Sequence, residues 1–309
     1  MAMQSQKSSR PPSLLVILAP PRCYTTLVAA MIGQHPQMYG LPETHLFTSA
    51  TMTDWWKAHQ GSDRTDGLSR AVAQIMLGGQ TERNIRLARQ WLRRPHLTTA
   101  DVLRELLDKL APLILVEKTP QAAERMEHLR RMNAEFPTAY FLHLLRHPLG
   151  HVLSRLERRM KYLRKTEPEL DLVQVAGRFG GADPQMLWYR CNSNIVSFLE
   201  NISVERKMRM RSEDLLSDPD SHLREIAEWL QLRSDPEAID AMKHPERSPF
   251  ACFGPPNAPM GGDEKFFREP ALRPFRAVSQ TLEDPLPWRS DGNGFRPVIR
   301  ELAKSFGYQ

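Results

Sequence analysis

Residues 14–36 read LLVILAPPRCYTTLVAAMIGQHP and contain the clearest structural pattern in the chain. This stretch opens with a short, continuous apolar run, which is typical of a strand buried on both faces. After a polar turn, Leu27, Ala30 and Met31 recur at helical spacing. Pro36 then ends the helical pattern, because the residue before a proline disfavours the helical conformation. The stretch therefore predicts a buried strand, a tight turn and a helix.

The same alternation continues along the chain. Apolar runs recur at 112–116 and 139–145, each followed by a helical pattern, and a shorter strand is expected at 207–211. Strands that alternate with helices predict an α/β fold, with a P-loop-like central parallel sheet flanked by helices. Residues 51–110 differ, because they carry three tryptophans and long helical periodicities. We expect them to form a helical insertion between the first and second core strands and part of an acceptor site.

Length and composition limit the class of protein. The 309 residues suffice for one sizeable domain, which we place at 13–309, behind a polar tail at 1–12 that is expected to be disordered. The segment 244–295 is rich in proline and glycine and is expected to form a long, functional loop region. The three cysteines are widely spaced, which argues against a disulfide framework and favours a reducing compartment.

Charge and targeting signals limit the partners. The N-terminus lacks the apolar segment of a signal peptide and no stretch is long enough to cross a bilayer, so we expect a cytoplasmic protein without a membrane partner. The net charge of +6 suits an anionic ligand. The basic residues are scattered and no nucleic-acid-binding motif is present, so nucleic acid is not an expected partner.

The turn after the first predicted strand has the features of an anion site. When a strand is followed by a tight turn and then a helix, the free backbone N–H groups at the start of the helix point toward one position. The helix dipole adds positive potential there. Arg22 adds a positively charged guanidinium that can donate two parallel hydrogen bonds to phosphate oxygens. The hydroxyls of Thr25 and Thr26 are further hydrogen-bond donors. A threonine-capped helix beside a surface arginine is the plain alternative. The GxxxxGK[ST] loop that binds ATP or GTP is absent, and Ala29 stands where a phosphatase loop built on Cys23 needs an arginine.

The turn at 21–26 reads PRCYTT and resembles PRSGTT, the 5′-phosphosulfate-binding loop of sulfotransferases that use 3′-phosphoadenosine 5′-phosphosulfate (PAPS). Cys23 and Tyr24 replace the family's serine and glycine. The glycine matters because the backbone must pass close to a phosphate there. The resemblance implies that the loop binds PAPS through Arg22, Cys23, Tyr24, Thr25 and Thr26.

A second motif agrees in position. The third long strand ends in LLRHP, and Arg146, Pro148 and Ser154 match the RxPxxxxxS pattern with which sulfotransferases bind the 3′-phosphate of PAPS. Pro148 also suits the first position of a helix. Three later segments resemble family segments in the family's order: WxxxN near the adenine, RSEDLL, and GGDEKFF in a loop (244–270) expected to close over the nucleotide. They imply nucleotide contacts from Trp188, Arg211 and Lys265.

Three further residues resemble catalytic residues of the family. Glu43 in LPET resembles the base in the GEET segment of protein-tyrosine sulfotransferases, and we expect it to be buried enough to have a raised pKa. Lys118 in EKTP follows the second predicted strand and resembles the lysine that meets the transferred group, a role that Arg22 would share. His244 lies in a segment that resembles sulfotransferase domains of modular polyketide synthases, which implies an acid–base role. Whether Glu43 or His244 is the base stays open.

The resemblance implies transfer of a sulfuryl group from PAPS, the co-substrate, to a hydroxyl of a small molecule or of an acyl chain on a carrier protein, with no metal. The products would be a sulfate ester and 3′,5′-ADP, and the setting polyketide-type secondary metabolism. Two other functions stay open. LILVE at 113–117 resembles a strand ending in a metal-binding carboxylate, as in an ATP-dependent P-loop phosphotransferase. A catalytically inactive nucleotide-binding scaffold would account for the altered Cys23 and Tyr24.

Overall fold

A parallel sheet of five strands forms the centre of the computed structural model, which describes residues 12–179, 183–275 and 281–309. In chain order the strands are β1 (Leu14–Leu18), β2 (Met38–Gly40), β3 (Ile114–Lys118), β4 (Tyr140–Leu145) and β5 (Lys207–Arg211). Their order across the sheet is β2-β3-β1-β4-β5, and every neighbouring pair is parallel. The predicted α/β class is thereby confirmed. Residues 1–11 of the predicted tail lie outside the described residues.

The central position of β1 in the sheet explains why its sequence is a continuous apolar run. Every residue of β1, β3 and β4 is buried. Successive side chains of a strand point to opposite faces, so Val16 packs into the core on one face of the sheet and Ile17 into the core on the other. A strand between two apolar cores needs apolar residues at every position.

Helices flank the sheet on both faces. Those before β4 are α1 (Thr25–Ile32), α2 (Met52–His59), α3 (Arg64–Leu77), α4 (Glu82–Leu92), α5 (Thr99–Leu110) and α6 (Met126–Glu135). Those after β4 are α7 (Pro148–Leu163), α8 (Leu172–Gly177), α9 (Met186–Leu199), α10 (Ser212–Ser217), α11 (Pro219–Trp229), α12 (Pro236–Met242), α13 (Glu264–Arg268) and α14 (Pro297–Ser305). Within the described ranges, no helix is both long and apolar enough to span a membrane.

The helical insertion predicted at 51–110 is formed by α2 to α5, but its place in the topology differs from the prediction. The insertion lies between β2 and β3, the second and third strands. The prediction did not include β2, because this strand has only three residues and no apolar run that marks it in the sequence. Trp55 is fully buried, its ring packs against Trp56, and Trp91 packs against the same core. The tryptophans that suggested an acceptor site therefore stabilise the insertion itself.

Strand β3 also differs from its prediction, because it runs to Lys118. Its pairing with β1 continues to the pair Ile17–Lys118, so Glu117 and Lys118 are strand residues and not loop residues. The carboxyl ends of β1, β3 and β4 lie at one edge of the sheet, because these strands are parallel. This is the edge at which α/β sheets bind ligands. It carries the turn after β1, the end of β3, and Arg146 directly after β4.

Candidate functional site

The turn after β1 has a left-handed backbone at two residues, Arg22 (φ 72°) and Tyr24 (φ 57°). For a residue other than glycine this conformation costs about 1–2 kcal/mol. Tyr24 directly precedes α1 and takes the conformation that a glycine would adopt without strain. Two contacts hold its ring: Phe275 packs edge-on at 6.1 Å between centroids, and the Arg146 guanidinium lies 4.2 Å from the ring centroid. The turn therefore has a left-handed backbone with a tyrosine at the position of the family's glycine.

Arg22 connects the turn to two distant segments. Its Nε donates to Ser154 Oγ at 3.1 Å, and its guanidinium pairs with Asp263 Oδ2 at 3.0 Å. Arg146 Nη1 donates to the Arg22 carbonyl oxygen at 2.6 Å. The structure thus brings together the residues of both predicted phosphate motifs. It adds Asp263 of the GGDEKFF segment, for which no role was predicted. A cluster with two arginines at a helix N-terminus is suited to bind phosphate groups.

Trp188 supports Arg146 and has no surface that could stack on an adenine. Its ring is fully buried, packs against Phe306, and donates from Nε1 to the Arg146 carbonyl oxygen at 2.8 Å. Gly150 of α7 makes room for the same arginine, because a Cβ there would lie 3.1 Å from Arg146 Nε. The expected adenine contact is therefore replaced by a supporting one: Trp188 fixes the backbone of the arginine.

Lys118 lies at the centre of a second group of polar residues at the same edge. Its Nζ donates to Thr26 Oγ1 and to Glu43 Oε1, both at 2.7 Å. The backbone N–H of Asp263 donates to the same threonine oxygen at 3.3 Å, and that of Glu43 donates to the Gly261 carbonyl at 2.7 Å. The Lys118 side chain is 1% exposed and that of Glu43 is 20% exposed. A cation and a carboxylate thus stand side by side, and the carboxylate is open to a substrate.

The pKa of Glu43 is lower than its ordinary value, which corrects the expectation of a raised one. Burial acts to raise this pKa, but the Lys118 ammonium lowers it further than burial raises it. The sequence did not show that Lys118 would lie 2.7 Å from the carboxylate. Paired in this way, Glu43 is a weak base, and it becomes a stronger one only when Lys118 moves away.

Two glycines fix the backbone of Glu43. A Cβ on Gly67 of α3 would lie 2.0 Å from the Glu43 carbonyl oxygen, so the helix passes directly against this residue. Gly261 has a positive φ of 136° and accepts the hydrogen bond from the Glu43 N–H. Gly67 was not among the predicted site residues. Its signal is a glycine inside a helical pattern, which costs stability and therefore often marks a close approach.

A small cleft with a cavity volume of about 20 Å³ lies beside Lys118 and Thr26. Its wall is largely apolar and includes Phe250, Phe266 and Phe267, all from the loop region 244–270. No residue of the insertion 51–110 is among the described residues that line it. The loop region supplies the apolar wall, and the insertion supports it from behind. Gly67 packs against the Glu43 backbone. Arg70 of α3 donates to the carbonyls of Cys252 and Met260, and its guanidinium lies over the rings of Phe250 and Phe267.

Among the described residues, His244 pairs with two carboxylates other than Glu43. Its Nδ1 lies 2.8 Å from Glu246 Oε1, and its Nε2 lies 3.6 Å from Asp240 Oδ2. Both carboxylates belong to its own segment, at the end of α12 and in the short 3₁₀ turn that follows. Of the two candidate bases, Glu43 is the one that contacts Lys118.

The remaining predicted residues occupy three kinds of position. Cys23 is fully buried, and burial raises the pKa of its thiol, so only its backbone can reach a ligand. Thr25 is buried in the first turn of α1. Arg211 pairs with Asp214 and donates to a carbonyl near the C-terminus. Lys265 is exposed in the first turn of α13, two residues after Asp263.

Comparisons with known proteins now decide the family. Residues 12–236 match the model of the "Sulfotransferase family". The chain belongs to this family. A comparison with curated protein sequences gave no match.

Several solved structures share the fold of this sulfotransferase. The sulfotransferase domain from the curacin biosynthetic pathway is 22% identical, with a TM-score of 0.74 over 97% of this chain and 99% of that one. The sulfotransferase domain of the Synechococcus PCC 7002 olefin synthase is 24% identical, with a TM-score of 0.70 over 98% and 97%. Sulfotransferase STF9 from Mycobacterium avium is 16% identical, with a TM-score of 0.53 over 97% and 78%. The family match gives sulfuryl transfer as the general activity, and these structures share the fold.

Glu117 was the feature that suggested a metal-dependent phosphotransferase, and in this sulfotransferase it is enclosed. It is fully buried, and its Oε1 accepts hydrogen bonds from the hydroxyls of Thr44 (2.9 Å) and Thr119 (2.6 Å). Burial raises the pKa of its carboxyl group to about 7. A carboxyl group held in this way connects two loops and is not exposed to a nucleotide-bound metal.

Proposed function

We propose that this sulfotransferase transfers a sulfuryl group from PAPS to a hydroxyl of a small-molecule or carrier-bound acyl acceptor, in the cytoplasm. The products are a sulfate ester and 3′,5′-ADP. One observation carries the proposal: the Arg22–Ser154 hydrogen bond joins the two phosphate motifs at the sheet edge where Lys118 meets Glu43.

The residues present fit a nucleotide with two separate phosphate groups. Arg22, the start of α1 and the hydroxyl of Thr26 suit a 5′-phosphosulfate, because an anion is favoured at a helix N-terminus and beside a guanidinium. Arg22 already pairs with an anion, the carboxylate of Asp263. Arg146 and Ser154 would hold the 3′-phosphate, as the resemblance implies.

The chemistry follows from the Lys118–Glu43 pair. When bound, PAPS supplies a sulfuryl group activated by its bond to a phosphate oxygen. Glu43 takes the proton of the acceptor hydroxyl, whose oxygen forms the new bond to sulfur. The bond from sulfur to the phosphate oxygen breaks, and its electron pair stays on the phosphate. Lys118 and Arg22 neutralise that charge as it develops.

Lys118 couples the two halves of the reaction. While it pairs with Glu43 it lowers the pKa of that carboxyl group. When it turns to the leaving phosphate oxygen, Glu43 loses the charge that stabilised its ionised form, and burial then raises its pKa. The base is thus activated only when the donor is in place, which limits proton transfer without sulfuryl transfer.

The cleft supports an apolar acceptor. Three phenylalanines line it next to Lys118, and this apolar wall suits an aliphatic chain whose hydroxyl lies beside Lys118 and its partner Glu43. Because the cleft is small, the phenylalanines must move apart to admit such a chain. Two structural relatives are sulfotransferase domains of the curacin pathway and of an olefin synthase. With the resemblance of the segment around His244 to domains of polyketide synthases, they favour a carrier-bound acyl chain in secondary metabolism.

The proposal is tested with sulfur-labelled PAPS and a panel of hydroxyl acceptors: a β-hydroxyacyl chain on pantetheine, the same chain on a carrier protein, a simple alcohol and a tyrosine peptide. We expect label in the acyl chain. Glu43→Gln should lower the rate about 10²- to 10⁴-fold, the usual contribution of a general base, and the control His244→Gln should stay near wild type. Label in no acceptor, or phosphoryl transfer from ATP with magnesium, would contradict the proposal.

A further inference from the structure

His45 faces the side of Glu43 that Lys118 leaves free. Glu43 Oε1 accepts from Lys118, whereas Oε2 lies 3.9 Å from Nε2 of His45. The imidazole is buried, and neither predicted phosphate motif includes it. The two oxygens of the carboxylate therefore face two different partners, one in hydrogen-bond contact and one just beyond it.

The protein holds His45 in an unfavourable backbone conformation. Its φ of 54° is left-handed, which costs about 1–3 kcal/mol for a residue other than glycine. Two hydrogen bonds maintain it: the His45 N–H donates to Thr119 Oγ1 at 3.0 Å, and Thr48 Oγ1 donates to the His45 carbonyl at 2.6 Å. The direction of the imidazole toward Glu43 is thus imposed by the fold.

More polar groups lie behind His45. The His45 ring lies 5.2 Å from that of His59, which in turn lies 5.2 Å from Trp55. Thr48 uses its hydroxyl proton on His45, so His59 Nε2 must donate to Thr48 Oγ1 at 3.1 Å. Nδ1 of both histidines and Nε1 of Trp55 are buried without a hydrogen-bond partner among the described residues. Such groups are costly to bury, so an apolar wall would be more stable at this place.

His45 is neutral where the enzyme works. Burial lowers its pKa to about 3; Glu43 opposes this effect, while His59 on α2, Arg64 on α3 and Lys118 on β3 add to it. Because Nδ1 has no acceptor in the described protein, the proton belongs on Nε2, where the carboxylate faces it. A neutral N–H can orient a carboxylate without lowering its basicity as much as a cation does.

We propose that His45 is a positioning residue for Glu43. When Lys118 turns to the donor, the Nε2–H of His45 donates to Glu43 Oε2 and holds the carboxylate toward the acceptor hydroxyl. A small side-chain rotation closes the present 3.9 Å to hydrogen-bond distance. Lys118 and Asp263 are the other charged groups that face Glu43. This inference rests on the proposed function, in which Glu43 is the base.

The test compares two substitutions of His45 that differ in one hydrogen-bond donor. Leucine fills similar space without an N–H, whereas glutamine places an amide N–H near the position of Nε2. Single-turnover rates with PAPS and the β-hydroxyacyl pantetheine are measured from pH 5 to 9, and 3′,5′-ADP binding is measured by calorimetry. The matched control is His128→Leu, because His128 is also buried and lies 3.6 Å from a glutamate, Glu127, on α6.

We expect His45→Leu to lower the rate about 10- to 100-fold, the effect of misplacing a reacting group by a fraction of an ångström to one ångström. Binding of 3′,5′-ADP should be unchanged. The acid limb of the profile should move to higher pH, because the ionised form of Glu43 loses a hydrogen bond. His45→Gln should restore both rate and profile, and His128→Leu should resemble wild type.

Equal losses in the leucine and glutamine variants, or an unchanged rate and profile in His45→Leu, would overturn the inference while the wild type still transfers sulfate. A wild-type enzyme that transfers none would instead overturn the proposed function. If the leucine variant does not fold, His45→Asn replaces it. Asparagine tolerates a left-handed backbone, and its amide lies at the Nδ1 position, so it should lose the rate that glutamine retains.

Discussion

Replacing Asp263 with asparagine should tighten the binding of 3′,5′-ADP. In the structure the Asp263 carboxylate occupies the Arg22 guanidinium at 3.0 Å, so a phosphate group must displace it. Arg22 acts with other groups to hold the pKa of Asp263 below its ordinary value against the effect of burial, so the competing carboxylate is charged at neutral pH. The substitution removes this charge and keeps the shape.

The magnitude follows from the exposure of the pair. The side chains are 18% and 32% exposed, between the buried case, where a charged hydrogen bond contributes about 1.5–3 kcal/mol, and the surface case of about 0.2–1 kcal/mol. A release of about 1–2 kcal/mol corresponds to about 5- to 30-fold tighter binding. Asparagine also caps helices well, so the bond from the Lys265 N–H that starts α13 is retained.

Calorimetric titration with 3′,5′-ADP at fixed ionic strength measures the effect. The matched control is Asp235→Asn, because Asp235 also caps a helix, α12, and pairs with an arginine, Arg233, at 2.8 Å. The control should bind as the wild type does. Unchanged or weaker binding in Asp263→Asn would refute the reasoning, because the Asp263–Arg22 pair would then persist in the complex and not compete with the ligand.

Three further substitutions test the site. Gly67→Ala should lower the transfer rate about 100-fold, because its Cβ would lie 2.0 Å from the Glu43 carbonyl oxygen and displace Glu43. The control is Gly79→Ala, whose Cβ would meet nothing within 4 Å, and equal transfer rates in the two variants would contradict the prediction. Lys118→Met should lower kcat about 10²- to 10³-fold and move the acid limb of kcat/KM to higher pH, since Glu43 loses its cation; a limb that stays in place would count against the pair. Burial raises the pKa of Glu117 to about 7, so between pH 5 and 8 the folded wild type retains a proton that the unfolded chain releases, and its free energy of unfolding should fall by about 2–3 kcal/mol over this range. In Glu117→Gln this fall should be absent when the free energy of unfolding in urea is measured against pH. Parallel pH curves for the two proteins would show this prediction to be wrong.

The sheet and the phosphate side of the site could be predicted because they depend on local patterns and one topological rule. Apolar runs of strand length predicted β1, β3 and β4, and parallel strands bring their carboxyl ends to one edge. Motifs placed after β1 and β4 therefore meet in space, as the Arg22–Ser154 hydrogen bond between residues 132 positions apart shows. The three-residue β2 has no such pattern. Because β2 was not predicted, the insertion was assigned to the wrong pair of strands.

The catalytic side could be predicted less well, because partners across the chain decide it. Periodicity shows which residues are apolar but not that Lys118 pairs with Glu43, and this pair reverses the expected direction of the Glu43 pKa. Likewise, a tryptophan in a family-like segment does not reveal its burial, which makes Trp188 a support for Arg146. Burial and ion pairing are tertiary properties, and single-sequence patterns carry little information about them.

Use of PAPS as the donor can be tested by calorimetric titration of the wild type and Arg146→Ala with 3′,5′-ADP, 5′-AMP, and ATP plus magnesium. We expect the wild type to bind 3′,5′-ADP most tightly. Arg146→Ala should lose about 2–3 kcal/mol of that binding, or about 30- to 150-fold. For 5′-AMP, which lacks the 3′-phosphate, the loss should be clearly smaller, because only the support that Arg146 gives to Tyr24 and the Arg22 carbonyl is then removed. Preference for ATP, or equal affinity of the wild type for 3′,5′-ADP and 5′-AMP, would contradict a PAPS-dependent sulfotransferase.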